Sequence, residues 1–311
     1  MPAPSLVSVV IPTRDGAATL AEVLDALFAQ RAPFAFEVVM VDSGSRDATL
    51  EIARRHPVRV HRIRPEEFDH GETRNLGVRL AKGDPVALLT QDATPAAPNL
   101  LEQLVRPFED PRVAGVYGRQ LPRPDCDVVT RRQLEGWLTG RSEPALAALD
   151  ADSLEQLTPL ARLELCTFDN VCSALRRTVW EKIPFPRASF GEDIAWGKAV
   201  IAEGFALAYE PRAAVHHSHR RSVAYEWSRT RICHQRLFEL FELETVPGLG
   251  DVLRASLANL RRDLPYVMRF APGGSERVLQ LARIAALSVV SPLAQHLGAR
   301  DARRVRDRGR A

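Results

Sequence analysis

The chain has 311 residues, 45% of them apolar and 26% charged, with a formal net charge of +3. That is the make-up of a soluble globular protein with one large domain or two small ones. Its four cysteines, Cys126, Cys166, Cys172 and Cys233, form no Cys-x-x-Cys pair and have no His at zinc spacing, so a zinc module is excluded and reduced thiols in a cytoplasmic protein are expected.

Met1 to Ser5 shows neither a basic stretch nor an apolar one, so no signal peptide is expected. Val7 to Ile11 is a run of β-branched residues stopped by Pro12, the mark of a short buried strand. Leu20, Val23, Leu24, Leu27 and Phe28 then recur at i, i+3, i+4, i+7 and i+8, which predicts an amphipathic helix. Phe36 to Val41 and Val58 to Ile63 read as the next strands, with a helix over Asp47 to Arg55 between them. Glu72 to Lys82 reads as a helix ended by Gly83, and Val86 to Leu89 and Val113 to Tyr117 as further strands. Strands buried between two helix layers imply an α/β fold with a mostly parallel sheet.

Pro122 to Glu164 breaks this rhythm and reads as helical insertion or loop. Val171 to Leu175 is a candidate strand, Phe190 to Glu203 a helix and Phe205 to Tyr209 a strand. From Arg220 onward the pattern is helical, with 17 Arg against 9 acidic residues, and the rest of the chain is net acidic. Such a surplus fits a surface for anionic lipid, or only an Arg-rich codon usage. A nucleic-acid module is excluded, because the Arg residues are not interleaved with aromatics in any known pattern. Leu249, Leu253, Leu257, Leu260 and Leu264 form one apolar stripe, and Val278, Ala282, Ala286, Val289 and Leu293 another; both read as faces packed on their own domain. Ile284 to Leu297 is too short and too polar to span a bilayer, and Arg300 to Ala311 reads as disordered. The boundaries expected are 1–219 for an α/β domain, with a nucleotide-binding half (1–120) and an acceptor half (121–219), and 220–311 for a helical extension.

Ligands of open α/β sheets bind beyond the carboxyl ends of the strands. Pro12-Thr13-Arg14-Asp15, Asp42-Ser43-Gly44-Ser45 and Thr90-Gln91-Asp92 fall there. Asp42 can accept a charge-assisted hydrogen bond from a base imide, although the same four residues also make a plain turn and helix cap. Gly191-Glu192-Asp193 opens a helix, where acidic residues also suit the helix dipole. His216, His217 and His219 are three imidazoles in four positions after a strand. Periodicity does not choose between His217 and His219 as a ligand.

In order along the chain stand Val9 to Gly16, Val41 to Asp47, Phe68-Asp69-His70-Gly71-Glu72-Thr73-Arg74-Asn75-Leu76-Gly77, Leu88 to Pro95, Gly191 to Trp196, and His216 to His219. The set resembles the family 2 inverting glycosyltransferases of the GT-A fold over about Leu6 to His219, and most of all their rhamnosyltransferase branch. The resemblance implies that Thr13 and Asp42 hold the nucleotide base, that Arg14 lies near ribose or phosphates, and that Arg74 reaches base or diphosphate. Pro12, Ser43 and Gln91 belong to the same donor-binding segments. Asp92, with His217 or His219, would hold Mg²⁺ or Mn²⁺ on the diphosphate. Asp193 would be the general base, and Glu192 would orient it or touch the acceptor. Trp196 would stack on a sugar, and Asn170 and Ser173 would flank the sugar pocket. One departure stands out: the family's usual Asp-x-Asp is Thr90-Gln91-Asp92 here, so one carboxylate is missing.

The function expected is transfer of a sugar from a dTDP- or UDP-linked donor to a saccharide or lipid-linked saccharide acceptor. The place expected is the cytoplasm or the inner face of the membrane, with the Arg-rich extension on an anionic membrane surface. A non-catalytic nucleotide-sugar-binding protein on the same fold is the alternative; the missing carboxylate motivates it, and the intact Glu192-Asp193 pair argues against it.

Overall fold

The apolar runs become strands of one nine-stranded sheet in the computed structural model, which describes residues 4–149, 151–219 and 222–310. The first part alternates regularly: β1 (Leu6–Thr13), α1 (Leu20–Phe28), β2 (Ala35–Asp42), α2 (Thr49–Ala53), β3 (Val58–Arg62), α3 (His70–Leu80) and β4 (Val86–Leu89). Then come β5 (Thr94–Pro95), α4 (Leu100–Val105), β6 (Val113–Leu121), α5 (Val128–Glu135), β7 (Ala145–Ala147) and α6 (Pro159–Leu165). β8 (Cys172–Leu175), α7 (Arg177–Trp180), α8 (Glu192–Ala202) and β9 (Ala206–His216) complete the α/β part, and α9 (Val223–Phe241), α10 (Leu249–Phe270) and α11 (Ser275–Arg310) follow.

The strand order is β3-β2-β1-β4-β8-β6-β9-β5, with β7 also on β9. β1 to β4 run parallel, as expected, and so do β6 and β9. The sheet as a whole is mixed, however. β8 lies antiparallel between β4 and β6, and β5 and β7 are antiparallel to β9. The reading of a mostly parallel sheet came from the first four strands; β5 and β7, of two and three residues, carry no pattern long enough to read.

Alternation along β1 feeds both helix layers. Val7, Val9 and Ile11 join Leu20, Leu24 and Leu27 of α1 in the main core, together with Val38 and Met40 of β2. Val10 points to the other face, where α3 comes so close that a Cβ on Gly77 would lie 2.2 Å from its Cγ1. This two-sided burial fixes the register in which Thr13 sits opposite Asp42, at the carboxyl edge of the sheet.

The chain divides into two units. The first comprises Met1–Arg123, Leu134–Gln156 and Glu164–His217, and the second Pro124–Gln133, Leu157–Leu163 and Ser218–Ala311. The second unit therefore takes two segments from the middle of the chain as well as the helical extension. Within it, Ile284 and Leu287 pack with Val129, Val267 and Ala271, and Phe238 packs with Ala299 and Ala302.

Three expectations about this region are corrected. The segment from Arg300 is not disordered: α11 runs on to Arg310, and Arg303 and Arg306 pair with Glu244 and Glu242 at 2.9 and 2.7 Å, while Asp301 pairs with Arg231. Those partners lie some 60 residues away in sequence, so composition did not reveal them. Ile284 to Leu297 is not a short separate segment but part of this 36-residue helix, which is long and apolar enough to cross a membrane by length and composition alone. Finally, the α10 stripe is packed only at Leu260: Leu249, Leu253, Leu257 and Leu264 are exposed, as are Val278 and Val289 of α11.

Leu24 is fully buried between α1 and the sheet. Leu24→Ala is expected to destabilise the protein by about 2–5 kcal/mol, read as a lower urea midpoint with the slope unchanged. A midpoint equal to that of the unaltered protein would place Leu24 outside the core.

Candidate active site

The loops after β1, β2 and β4 are laced to one another by side-chain-to-backbone hydrogen bonds. Asp42 is fully buried and accepts from the backbone N–H of Gly44 and Ser45, both at 3.2 Å, and from the Ser45 hydroxyl. The backbone N–H of Asp15 donates to Ser45 Oγ, that of Gly16 to Thr49 Oγ1 and that of Ala17 to Asp47, at 2.7–2.9 Å. Ser43 donates to the Thr13 carbonyl through both N–H and hydroxyl, and the Thr13 hydroxyl donates to Ile11 O. Gln91 closes the third side: its amide accepts from Arg14 N–H and donates to Arg14 O, each at 2.9 Å.

Thr13, Arg14, Asp42, Ser43 and Gln91 are thus brought together at one edge, directly after Pro12. Asp42 and Gln91 spend their polar groups on holding the loops. A cleft of about 430 Å³ opens beside them, lined by His61, Arg62, Thr73 and Arg79, and Arg62 Nε lies 3.8 Å from Asp42. A roomier and more apolar pocket of about 610 Å³, lined by Pro4, Pro33, Phe34 and Phe108, sits among the residues that precede β1, β2 and β4. It lies at the strand ends opposite Thr13, Asp42 and Asp92, so its size does not make it the site.

Asp92 follows in the turn after β4. His217, directly after β9, points Nε2 at Asp92 Oδ1 across 3.5 Å. One ligand atom each from Asp92, His217 and, two residues along the chain, His219 lies within 4.8 Å of the others. A carboxylate and two imidazoles are a donor set that fits Mn²⁺, and Mg²⁺ less closely. Both imidazoles left open by the sequence reading thus reach the same spot.

The carboxylates of α8 sit at a tight junction. Gly191 adopts φ 70°, a left-handed conformation that glycine enters without strain, and from it the helix begins with Glu192 and Asp193. Asp193 accepts from its neighbour Ile194 N–H at 2.8 Å and from Asn170 N–H at 3.3 Å. Glu192 is buried, accepts from the Asn170 side-chain amide at 3.2 Å and pairs with the buried guanidinium of Arg74 at 3.0 Å. The Ser173 hydroxyl donates to Asn170 Oδ1 at 3.0 Å and holds that side chain in turn. The Asp193 residue keeps some solvent contact, but its carboxylate is enclosed by protein. Burial raises its pKa, the Glu192 and Asp169 carboxylates raise it further, and Arg74 only partly opposes them.

Several expected roles change in this light. Arg74 is committed to Glu192 and to the carbonyl of His70 at 3.1 Å, inside the protein rather than at a base or diphosphate. Trp196 is fully buried, donates its indole N–H to Ile183 O at 2.7 Å and packs against Phe168 and Phe185; with no free face, it cannot stack on a sugar. Asn170 and Ser173 are buried behind the carboxylates instead of lining a pocket.

The motif from Asp69 to Gly77 is likewise largely scaffold. Asp69 caps α3 and also accepts from Ala188 N–H, and Asn75 makes three hydrogen bonds to Trp180 and Phe185. A Cβ on Gly71 would come within 1.9 Å of Pro186 O, so only glycine fits that approach. Gln120, Asp169 and Arg62 were not singled out in sequence, because only strand pairing and chain return bring them to the site.

The family model for glycosyl transferase family 2 matches residues 8–182, more than half of the chain. The chain belongs to that family. Over 227 residues it is 31% identical to the O-antigen chain rhamnosyltransferase RfbN of Salmonella typhimurium, an alignment covering 72% of this chain and 69% of the relative. The O-antigen chain rhamnosyltransferase WbaN of Salmonella anatum is 32% identical over 196 residues, or 62% of this chain and 60% of that protein. Among solved structures, the mannosyltransferase PcManGT from Pyrobaculum calidifontis, in complex with GDP-Man and Mn²⁺, matches with a TM-score of 0.59 at 21% identity, over 97% of this chain and 86% of that one. Glucosyl-3-phosphoglycerate synthase from Mycobacterium tuberculosis matches with a TM-score of 0.55 at 19% identity, over 79% and 83%. These likenesses show the shared GT-A fold. The chain is therefore a family 2 glycosyltransferase with a helical C-terminal region.

The raised pKa of Asp193 has a consequence for stability. The folded protein binds this proton more tightly than the unfolded chain, so the Asp193 contribution is lost as pH rises from the ordinary carboxylate range through the raised folded value. Asp193→Asn removes that loss. Its melting temperature is expected to exceed that of the unaltered glycosyltransferase at pH 8, with the gap closing by pH 4. A gap that is constant across this range would mean that Asp193 titrates like a free carboxylate.

Proposed function

We propose that this glycosyltransferase moves a rhamnosyl or related deoxyhexosyl group from a dTDP- or UDP-linked donor to a hydroxyl of a saccharide or lipid-linked saccharide acceptor. Transfer inverts the anomeric centre and serves cell-surface polysaccharide assembly at the inner face of the membrane. The rhamnosyltransferase names of the two curated relatives support the sugar and the setting. The observation that carries the chemistry is Asp193, an enclosed carboxylate held by two backbone N–H groups and raised in pKa by burial.

A general base works best with a pKa near the operating pH, and the surroundings of Asp193 move it that way. Asp193 takes the proton of the acceptor hydroxyl as its oxygen attacks the anomeric carbon from the face opposite the nucleotide. The bond from that carbon to the diphosphate oxygen breaks, and its electron pair leaves with the diphosphate. Glu192, fixed by Arg74 and Asn170, keeps a second negative charge beside Asp193 and so sustains its basicity. Asp92 with His217 and His219 would hold Mg²⁺ or Mn²⁺, which neutralises charge on the leaving diphosphate. The ordered loops at Thr13, Arg14, Asp42 and Ser43 would receive the nucleoside end of the donor.

The test is transfer from dTDP-rhamnose to a saccharide acceptor, with the product linkage read by NMR. An inverted anomer is expected, with a rate that climbs with pH above the ordinary carboxylate range. Asp193→Asn is expected to lower the rate by roughly 10²-fold or more while donor binding persists. Excess EDTA is expected to abolish transfer and Mn²⁺ to restore it. Donor binding without transfer by the unaltered protein, across a panel of nucleotide sugars and acceptors, would leave a nucleotide-sugar-binding protein instead.

The membrane setting has its own support. Leu249, Leu253 and Leu257 recur every four residues on α10 and are exposed, together with Leu264 and Met268. Arg254, Arg261, Arg262 and Arg269 are exposed on the same helix. An apolar stripe with cationic neighbours is the form of a helix that lies in an anionic bilayer surface. The protein is expected to sediment with phosphatidylglycerol-rich liposomes at low salt and less so at high salt, because exposed charges are screened within about 8 Å at physiological ionic strength. Leu253→Asp combined with Leu257→Asp is expected to abolish sedimentation. Equal sedimentation of that variant would exclude the α10 stripe as the contact.

A further inference from the structure

We propose that Gln120 is a positioning residue that fixes which ring nitrogen of His217 faces Asp92. The inference rests on the reading that Asp92 and His217 hold a divalent cation.

Gln120 lies on β6 opposite Val215 of β9, two residues before His217. Gln120 and His217 are both buried. The Gln120 amide N–H donates to Asp169 Oδ2 at 2.8 Å, and the other oxygen of Asp169 accepts from Val171 N–H at 2.9 Å. A carboxylate facing two N–H donors only accepts, so the amide NH₂ must point to Asp169 and the amide oxygen away from it. That oxygen lies 2.8 Å from His217 Nδ1. An amide oxygen cannot donate, so Nδ1 must carry a hydrogen. The nitrogen left to offer a lone pair is Nε2, and Nε2 is the one turned to Asp92 at 3.5 Å. Asp169 thus orders Gln120, and Gln120 orders His217, before any cation arrives. Partners that orient a metal-bound imidazole typically change metal affinity 10- to 100-fold when lost.

The test is Mn²⁺ binding to the full chain without donor, followed by electron paramagnetic resonance, with pulsed measurement of the nitrogen coupling of the bound ion. The unaltered protein is expected to bind Mn²⁺ with an imidazole nitrogen coupled to it. Gln120→Leu keeps bulk and removes the acceptor; binding is expected to weaken about 10- to 100-fold and the nitrogen coupling to fall or change. Gln120→Glu restores an acceptor for Nδ1–H and is expected to bind more tightly than Gln120→Leu and to regain the coupling, a rescue that a merely structural role would not give. Should Gln120→Leu lose its thermal unfolding transition, Gln120→Glu decides alone: retained nitrogen-coupled Mn²⁺ supports the proposal and its loss overturns it. Equal affinity and coupling in the unaltered protein and Gln120→Leu would overturn the positioning role and leave the cation reading standing. No Mn²⁺ binding by the unaltered protein would remove both.

Discussion

The ion pair between Arg74 and Glu192 is the buried contact around which the candidate site is built. It joins α3, from the nucleotide-binding half, to the first turn of α8, where Asp193 stands. Both partners are buried, so the pair is not a surface contact of little worth; breaking such a pair by removing one member typically costs about 3–5 kcal/mol. Its arrangement serves the site more than the fold. Arg74 pairs with Glu192 inside the protein, and the nearby Glu192 carboxylate helps to raise the pKa of Asp193. The same guanidinium nitrogen, Nη1, also donates to the carbonyl of His70, one turn earlier in α3. Asp69 and Asn75 fix that helix to the chain at Phe185 and Ala188. The motif from Asp69 to Gly77 is thus a bracket that sets the start of α8, where Asp193, the proposed base, stands.

The donor edge is organised differently, by hydrogen bonds from loop backbone and hydroxyl groups to side chains instead of by a buried ion pair. Asp42, Ser45, Asp47, Thr49 and Gln91 each bond backbone or side chain of a neighbouring loop. Loops tied this way lose little freedom when a nucleotide binds, so less of the binding energy is consumed in ordering them. Gln91 bears on the missing carboxylate of the Asp-x-Asp pattern: the chain here uses that position to clamp Arg14. With Asp92, the two imidazoles after β9 make a three-donor set of a kind that suits Mn²⁺.

Much of this was legible in the sequence, and the illegible part has physical reasons. Buried parallel strands read as apolar runs, so β1 to β4 and their helices were placed within a few residues, and Asp92, Asp193 and the imidazoles could be singled out from strand ends and helix starts. β8 was legible as a strand but not as an antiparallel one, because direction depends on partners. The four-residue spacing of Leu249, Leu253 and Leu257 showed an amphipathic helix correctly; it could not show that the face would be left exposed. Trp196 followed Asp193 at helical spacing, which places it one turn on but does not say whether the ring turns outward or, as it does, between Phe168 and Phe185. Gln120 carried no signal, since its role arises from the pairing of β6 with β9 across a register shift between Gly118 and Arg119.

The network places the two ends of the reaction under one connected set of side chains. Asp169 orients Gln120 at the cation site, and its negative charge also raises the pKa of Asp193 at the base. Asp169, Glu192 and Asp193 are three carboxylates in one region, and Arg74 is the cation that bears on Asp193 there. The neighbouring carboxylates raise the proton affinity of Asp193, which is what the proposed base needs. At the other end, the donor set of Asp92, His217 and His219 would take a cation that offsets the charge of a departing diphosphate. Both features suit the proposed transfer from a nucleotide sugar.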